Sequence, residues 1–284
     1  MWILSTDRAE LHFFSGPSKI PGGYAILSHT WMGEEQSFQD IQTVGTRCAA
    51  SGENPRDLVS AKIRNCCITA RAYGHHWVWI DSCCIDKTSS TELSEAINSM
   101  FAWYVQAEIC FAFLEDVPPN DDFAAPQSAF RRARWHTRGW TLQELLAPAY
   151  LLFMTNKWTP IGTRIALENL LEDVTGIHHV FLRHQRSFHT EASIAERMHW
   201  ASRRTTTRIE DEAYCLFGLF DITMPILYGE GRRAFQRLQY ELTRQSFDTS
   251  LLAWGEWYSP VLDALPARPA EDRGRGGGGP CGGP

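Results

Sequence analysis

The stretch NPRDLVSAKIRNCCITARAYGHHWVWID, Asn54 to Asp81, predicts a helix that leads directly into a buried strand. Asn54 is a residue type that caps helices, Pro55 suits the first helical position, and Gly74 suits a helix end. Apolar side chains recur between them at roughly helical spacing. The run WVWID is almost continuously hydrophobic, as expected for a strand covered on both faces of a sheet. A helix followed by such a strand is typical of an α/β fold.

Three further apolar runs predict strands of the same kind. They are YAILSH (Tyr24 to His29), ICFAFL (Ile109 to Leu114) and YLLFM (Tyr150 to Met154). A second helix is predicted to begin at Ser90 or Thr91, after the strand WVWID. The alternation of strands and helices predicts right-handed crossovers and a doubly wound parallel sheet. Ligands of such sheets bind outside the carboxyl ends of the strands, which is where we expect a site.

The pattern along the chain divides it into four parts. Residues 1–20 form a loosely patterned N-terminal lead-in, and residues 21–165 form the α/β core. Residues 166–258 have helix-like periodicity and predict an α-helical extension packed on the core. Residues 259–284 are rich in Gly and Pro, cannot bury enough apolar surface to order themselves, and predict a disordered tail.

Composition argues against several classes of partner. The net charge of -6 arises from 27 basic and 33 acidic residues that are mostly interspersed, so we expect no nucleic-acid partner. No apolar run approaches the length of about 18 residues that spans a bilayer. Eight cysteines and the lack of a secretory signal pattern favour a cytoplasmic location. Adjacent cysteines lack the spacing of a zinc site, so we expect no metal and interpret Cys66, Cys67 and Cys84 as core residues.

Polar and aromatic side chains collect where the predicted strands end. His29 and Asp81 end neighbouring strands, and they either form a hydrogen-bonded pair lining a cleft or serve separately in a turn and a cap. The segment RGWTLQELLAP, from Arg138 to Pro148, follows the third strand. The candidate ligand-binding residues are Ser28, His29, Trp31, Asp81, Arg138 and Trp140.

Glu144 has two interpretations that the residues leave open. The order Thr141-Leu142-Gln143-Glu144 satisfies a capping box, in which Thr141 caps a helix and Glu144 bonds back to the cap amide. Trp140 and Leu145 would then form the hydrophobic staple. In the second interpretation, the Glu144 carboxylate faces a ligand.

Several sequence segments occur together between Tyr24 and Gly231: YAILSHTW with SFQDI, WVWIDSCCIDK, SEAINSMFAWYVQAEICFAFLEDV, RWHTRGWTLQELLAP and EDEAYCLFGLFDITMPILYGEG. Together they resemble the fungal heterokaryon incompatibility (HET) domain. The chain departs from the usual family pattern at Met32, which shifts a turn glycine to Gly33, and at Lys87, which stands where an amide is usual. The resemblance implies a domain that triggers cell death in non-self recognition or innate immunity.

The HET domain is also distantly similar to the TIR domain, which has a flavodoxin-like parallel sheet and in several branches cleaves NAD. Such TIR domains place their glutamate in a W-C-x-x-E pattern after the third strand. Trp140 and Glu144 keep that spacing, with Thr141 in place of the cysteine. The resemblance therefore implies a catalytic role for Glu144, with NAD as a substrate and no cofactor.

The chemistry implied by this resemblance is cleavage of an N-glycosidic bond. A carboxylate beside the ribose stabilises the cationic transition state, which would be the role of Glu144. Arg138 would pair with the pyrophosphate, and Trp31 or Trp140 would stack on a ring. Two alternatives stay open: a non-enzymatic module that acts by self-association or by recruiting death-signalling proteins, and a sensor that binds a nucleotide without cleaving it.

Overall fold

The computed structural model describes residues 1–31, 33–245, 248 and 250. Its centre is a seven-stranded mixed sheet flanked by helices, with the strand order β2-β1-β4-β3-β5-β6-β7. The strands are β1 (Trp2–Ser5), β2 (Leu11–Phe13), β3 (Ala25–His29), β4 (Trp77–Trp79), β5 (Ile109–Phe113), β6 (Leu151–Met154) and β7 (Pro160–Thr163).

The four strands that the sequence predicts form the parallel centre of the sheet. β3 pairs in parallel with β4 on one side and with β5 on the other, and β5 pairs in parallel with β6. Every residue of β3, β5 and β6 is buried, which explains their near-continuous apolar sequences. The register places Ser28 opposite Ala112 and His29 opposite Phe113, so these residues lie at the carboxyl edge of the sheet.

The sheet is not parallel throughout, and the prediction of a parallel sheet is wrong at both edges. The residues predicted as a lead-in contain β1 and β2, which pair antiparallel with each other, and β1 also pairs antiparallel with β4. At the opposite edge, β7 pairs antiparallel with β6. β2 and β7 are short and partly exposed, so they lack the continuous apolar signal of the central strands. β7 begins with Pro160, a residue that sheets tolerate at an edge.

Helices surround the sheet and continue beyond it. The core contains α1 (Phe38–Ser51), α2 (Pro55–Leu58), α3 (Ala61–Ala72), α4 (Ser90–Gln106) and α5 (Thr141–Leu146), with short 3-10 helices at Pro17–Lys19 and Arg134–Thr137. The later segment contains α6 (Glu168–Thr175), α7 (His179–Leu182), α8 (Phe188–Glu191), α9 (Ile194–Ala201), α10 (Asp211–Tyr214), α11 (Phe217–Phe220) and α12 (Arg233–Gln245).

The helix predicted between Asn54 and Gly74 is in fact two helices. Asn54 caps α2 as expected, with its side chain accepting a hydrogen bond from the Arg56 amide at 3.0 Å. Ser60 then caps α3 by accepting from the Ile63 amide at 3.4 Å. A serine that bonds a backbone amide competes with helix continuation, which accounts for the break.

The later helices pack closely against the core. Gly218 of α11 lies so near α4 that a Cβ atom built on it would be 2.2 Å from Cβ of Phe101, so only glycine fits there. The Asn98 side chain of α4 donates to the Met224 carbonyl oxygen and accepts from the Met224 amide, both at 3.2 Å. The helical segment is therefore fixed to α4 by packing and by a paired hydrogen bond.

Gly229 and Gly231 form a turn before α12. Both glycines have positive φ angles, of 102° and 60°, and Glu210 accepts from their amides at 2.8 and 3.1 Å. Most of residues 246–258 and the whole predicted tail, 259–284, lie outside the described residues. No helix within the described part of the chain is long and apolar enough to cross a membrane.

Candidate functional site

Glu144 lies on α5 and its side chain turns into the protein, beneath the carboxyl edge of the sheet. Only 6% of the residue is exposed. Ser28, at the end of β3, donates its hydroxyl hydrogen to Oε2 of Glu144. The same hydroxyl oxygen accepts a hydrogen bond from the indole Nε1 of Trp135 at 2.7 Å. A buried chain of hydrogen bonds thus runs from Trp135 through Ser28 to Glu144.

The capping box that one of the two interpretations of Glu144 requires does not form. Trp140 occupies the cap position with a helical backbone and makes no side-chain cap bond. The Thr141 hydroxyl lies instead against the carbonyl oxygens of Trp135 and Arg138. The indole Nε1 of Trp140 donates to Asp211 at 3.2 Å. The Glu144 carboxyl is therefore not used to cap its own helix.

Burial raises the pKa of Glu144 from an ordinary 4.5 to about 8. The hydrogen bond from Ser28 opposes this shift, whereas the nearby negative charge of Asp81 adds to it. Tyr104, which is also buried and donates to the Leu27 carbonyl oxygen at 3.0 Å, contacts Glu144 too. At neutral pH the Glu144 carboxyl is therefore mostly protonated.

His29 and Asp81 form the hydrogen-bonded pair that one of the two sequence interpretations predicts. His29 Nε2 lies 2.8 Å from Asp81 Oδ1, and Trp31 Nε1 donates to the other carboxylate oxygen at 3.1 Å. The Lys87 ammonium lies 4.0 Å from the centre of the Trp31 ring. Burial alone would raise the pKa of Asp81, but His29, Lys87 and Trp31 together hold that pKa below its ordinary value.

Arg138 lies between the core and the helical extension. Its side chain is half-buried, and Nη1 donates to the Thr207 hydroxyl at 2.6 Å. Burial raises the pKa of Glu144 and of Asp211, and the positive charge of Arg138 partly opposes both shifts. Across the described residues Arg138 forms an ion pair with neither carboxyl group, so most of its N–H donors remain available.

The extension contacts the start of α5 through side chains that sequence reasoning did not assign to a site. Asp211 accepts from Trp140 and also from the Tyr228 hydroxyl, the latter at 2.8 Å. Arg204 donates from Nη1 to the Arg138 carbonyl oxygen and to the Thr141 hydroxyl, both at 3.0 Å. The Arg138 to Glu144 segment is therefore held from the extension as well as from the sheet.

The structure brings the predicted site residues to one edge, but it separates them into two groups. Glu144 and Ser28 are buried, with Ser28 0% exposed, whereas Trp31 is 42% exposed and Asp81 is partly exposed. Ser28 therefore contacts Glu144 and Trp135 rather than solvent. Trp135 is the main residue that sequence reasoning missed, and its only signal was its place in the segment RWHTRGW.

The cysteines interpreted as core residues and one group of possible metal ligands are also visible in the structure. Cys66, Cys67 and Cys84 are buried free cysteines, as predicted for core residues. In the extension, Glu172, His178 and His179 bring three donor atoms within 4.8 Å of one another. That group belongs to α6 and α7, and the Glu172 carboxylate already accepts from the His179 ring at 2.9 Å.

The sequence is similar to known incompatibility proteins. The heterokaryon incompatibility protein (HET) family model matches residues 24–131. Over 231 residues, or 79% of the chain, the sequence is 44% identical to the vegetative incompatibility protein HET-E-1 of Podospora anserina. The chain belongs to the HET family. The similarity spans 16% of the length of HET-E-1.

The HET match contains only part of the site. Ser28, His29, Trp31 and Asp81 lie within it, whereas Glu144 follows it. The hydrogen bond between Ser28 and Glu144 is one contact that links the HET segment to α5. A second family model, a domain of unknown function (DUF8212), matches residues 233–276, which begin with α12. No solved structure matches the chain.

Proposed function

We propose that this HET-family chain acts in heterokaryon incompatibility and triggers cell death by cleaving NAD to nicotinamide and ADP-ribose. One observation carries the proposal: Glu144 is a buried carboxyl group with a pKa raised to about 8, at the carboxyl edge of a parallel sheet. Strongly perturbed carboxyl groups in such positions are typical of functional sites. The name of the relative HET-E-1, a vegetative incompatibility protein, supports the biological role.

The strand order supports a TIR-like core. Counting only the parallel strands in chain order, β3, β4, β5 and β6 lie in the spatial order 2-1-3-4, which agrees with the flavodoxin-like order 2-1-3-4-5. In that order the second strand lies on one side of the first strand and the third lies on the other side. The strand order therefore reverses beside the first strand, and ligands bind at this switch point. Ser28 and His29 end this first strand, so Glu144 lies beside the switch point.

The main contribution that this reaction needs from the protein is electrostatic stabilisation of the transition state. The bond between ribose C1′ and the pyridinium nitrogen breaks, its electron pair goes to nicotinamide, and water adds to C1′ with loss of a proton. Ionised Glu144 would stabilise the positive charge that develops on the ribose. Ser28 is fully buried, so we assign it the positioning of Glu144 rather than contact with the ligand.

The remaining residues suit the binding of a dinucleotide. The exposed Trp31 offers an aromatic face for stacking, although Lys87 lies over one face of that ring. Trp140 is half-buried and its indole nitrogen is held by Asp211. Arg138 has free donors that suit a phosphate group. We assign His29 and Asp81 to the wall of the same cleft.

A second candidate is a module that assembles and recruits partners without turnover. The burial of Glu144 favours it, because the carboxyl group is enclosed by Ser28 and Tyr104 and would need a local rearrangement to reach a ligand. Assembly can supply such a rearrangement, so the test must include concentrated protein. A third candidate, a nucleotide sensor, would bind NAD without releasing nicotinamide.

The test is nicotinamide release from NAD by the purified chain over a range of protein concentrations. We expect release by the wild type and a loss of about 100-fold or more in Glu144→Gln, as is found when a transition-state charge stabiliser is removed. Glu241→Gln, a change on the surface of α12, is the matched control and should keep full activity. No release at any concentration would reject the enzymatic function, and equal release by Glu144→Gln would move the site elsewhere.

A further inference from the structure

We infer that the helical extension completes a site for the diphosphate of a nucleotide, formed by Arg138 of the core and Arg208 of the extension. The inference rests on the proposed function in one respect, the assumption that the ligand is a nucleotide. It adds the assignment of a binding residue outside the α/β core and a role for the loop that connects α9 to α10.

The loop is held against the Glu144 segment by backbone bonds. The Gly139 amide donates to the Thr205 carbonyl oxygen at 2.8 Å, and the Thr205 amide donates to the Thr137 carbonyl oxygen at 2.7 Å. These bonds give a parallel bridge between Arg138 and Thr205. Gly139 is required at this contact, because a Cβ atom on it would lie 2.5 Å from the Thr206 side chain. The position of the loop relative to Arg138 is therefore fixed.

The side chains of the two arginines contact neighbouring residues beside this loop. The hydroxyl of Thr207, the neighbour of Arg208, accepts the hydrogen bond from Arg138. The Arg208 guanidinium carbon lies 4.4 Å from the centre of the Tyr228 ring. The Asp211 carboxylate lies between them, since it accepts from the Tyr228 hydroxyl and from Nε1 of Trp140, two residues after Arg138. Burial raises the pKa of Asp211, and the charges of both arginines partly oppose that shift.

Both guanidinium groups keep free donors although carboxylates lie close by. Throughout the described residues the Arg208 side chain contacts the Tyr228 ring but makes no hydrogen bond or ion pair, and the Arg138 side chain donates one hydrogen bond. The two oxygens of Asp211 are used by Trp140 and Tyr228. Glu210 is used by the amides of Gly229 and Gly231. The carboxylates of Asp211 and Glu210 thus accept hydrogen bonds from other groups. The free guanidinium donors of the two arginines are left for an external anion.

The chemistry of the pair selects phosphate. Guanidinium groups bind phosphate oxygens through two parallel hydrogen bonds, and two such groups match an anion that carries two or more charges. Glu144 is mostly protonated at neutral pH and does not cancel their charge. The aromatic rings of Trp140 and Tyr228 border the same place and suit the rest of a nucleotide. A diphosphate group within a nucleotide fits these features together.

The test is calorimetric binding of inorganic pyrophosphate, ADP and adenosine to the full chain. We expect ADP to bind more tightly than pyrophosphate, and adenosine to bind weakly. Arg138→Ala and Arg208→Ala should each weaken ADP binding about tenfold, the size expected for loss of a charge-assisted hydrogen bond. Arg203→Ala is the matched control, because Arg203 is an exposed arginine of the same loop and should leave binding unchanged.

Several outcomes of these titrations would overturn the proposed arginine site. ADP affinity that is unchanged in Arg208→Ala, or reduced equally in Arg203→Ala, would overturn it, and so would equal affinity for ADP and pyrophosphate. Arg208→Lys keeps the charge without the fork, so it should recover only part of the affinity. Repeating the titration in Glu144→Gln separates the two proposals, since ADP binding should persist there. Retained binding without nicotinamide release from the wild type would reject NAD cleavage and leave the arginine site standing.

Discussion

Glu144 and Asp81 are two carboxyl groups at the same edge of the sheet, in opposite environments. Glu144 is enclosed, with a single hydroxyl donor from Ser28 and contact with the Tyr104 phenol. Asp81 keeps 27% of its side chain exposed and accepts from two ring nitrogens, those of His29 and Trp31. Burial dominates at the first group and raises its pKa to about 8, whereas the donors dominate at the second and lower its pKa.

Glu144 and Asp81 thus allow one sheet edge to hold a protonated and an ionised carboxyl group at the same pH. Each charge also affects the other, because the negative charge of Asp81 helps to raise the pKa of Glu144. Pairs of carboxyl groups whose environments drive their pKa values apart are a recurring basis for dividing roles in catalysis. We expect Glu144 to change ionisation near working pH and Asp81 to remain a fixed charge that orients His29.

The largest predicted effect is on stability as a function of pH. Glu144 has a higher pKa folded than its ordinary 4.5, so the folded state binds the extra proton between about pH 4.5 and pH 8. The free energy of unfolding should therefore fall as pH rises through this window, with a contribution from this group of up to about 1.4 kcal/mol per pH unit. Glu144→Gln, which cannot ionise, should remove that contribution in urea unfolding from pH 5 to pH 9.

The control for this prediction is Glu241→Gln on α12, which should follow the wild-type pH dependence. A wild type and a Glu144→Gln variant whose unfolding free energies run parallel across the whole range would show that Glu144 ionises normally. Glu144 and Asp81 would then not differ in ionisation at neutral pH.

The next largest effect is expected at Ser28. Ser28→Ala removes the acceptor of Trp135 Nε1 and the donor to Glu144, and leaving buried groups unpaired should cost about 1–3 kcal/mol in the free energy of unfolding. Because Ser28 lowers the pKa of Glu144, the variant should also move the end of the pH-dependent window above pH 8.

Ser82 supplies a matched control for Ser28. It is also buried, 2% exposed, but its hydroxyl oxygen has no hydrogen-bond partner among the described residues. Ser82→Ala should therefore change the unfolding free energy by no more than about 0.5 kcal/mol. Equal losses in the two serine variants would mean that removal of a buried hydroxyl, and not the chain of bonds to Glu144, sets the cost.

The smallest effect is expected for the partly exposed pair. A double-mutant cycle of His29→Ala and Asp81→Asn should give a coupling energy of about 1 kcal/mol, reduced by the exposure of Asp81. Chemical unfolding of the wild type, the two single variants and the double variant provides the measurement. A coupling energy of zero would show that the contact with His29 does not hold Asp81 in its ionised state.

The central fold was predictable because its strands are buried on both faces. β3, β5 and β6 are apolar throughout, and such runs need no knowledge of distant contacts to be recognised. β2 and β7 were missed because they are short edge strands whose residues are partly exposed, so their pairing depends on a neighbour. The split of α2 from α3 was missed because Ser60 is polar but otherwise unremarkable in sequence.

The meeting of the candidate residues at one sheet edge was predictable, but most of their contacts were not. Residues that end neighbouring parallel strands had to lie together, which brought His29 near Asp81. The capping box was wrong because Thr141 found carbonyl acceptors in the preceding turn, which a local pattern cannot show. Trp135 and Ser28 are 107 residues apart, and Trp140 and Asp211 are 71 apart, so these bonds depend on the folded arrangement.

The most direct test of the proposed role of Glu144 is the pH dependence of kcat/KM for nicotinamide release from NAD, because kcat/KM reports the pKa of groups in the free enzyme. The measurement uses protein at the concentration that gives the highest specific activity. If ionised Glu144 is the catalytic group, kcat/KM rises with pH, with a midpoint near the pKa of about 8, and this phase is absent from Glu144→Gln. A flat profile, or the same rise in the Gln variant, would contradict it.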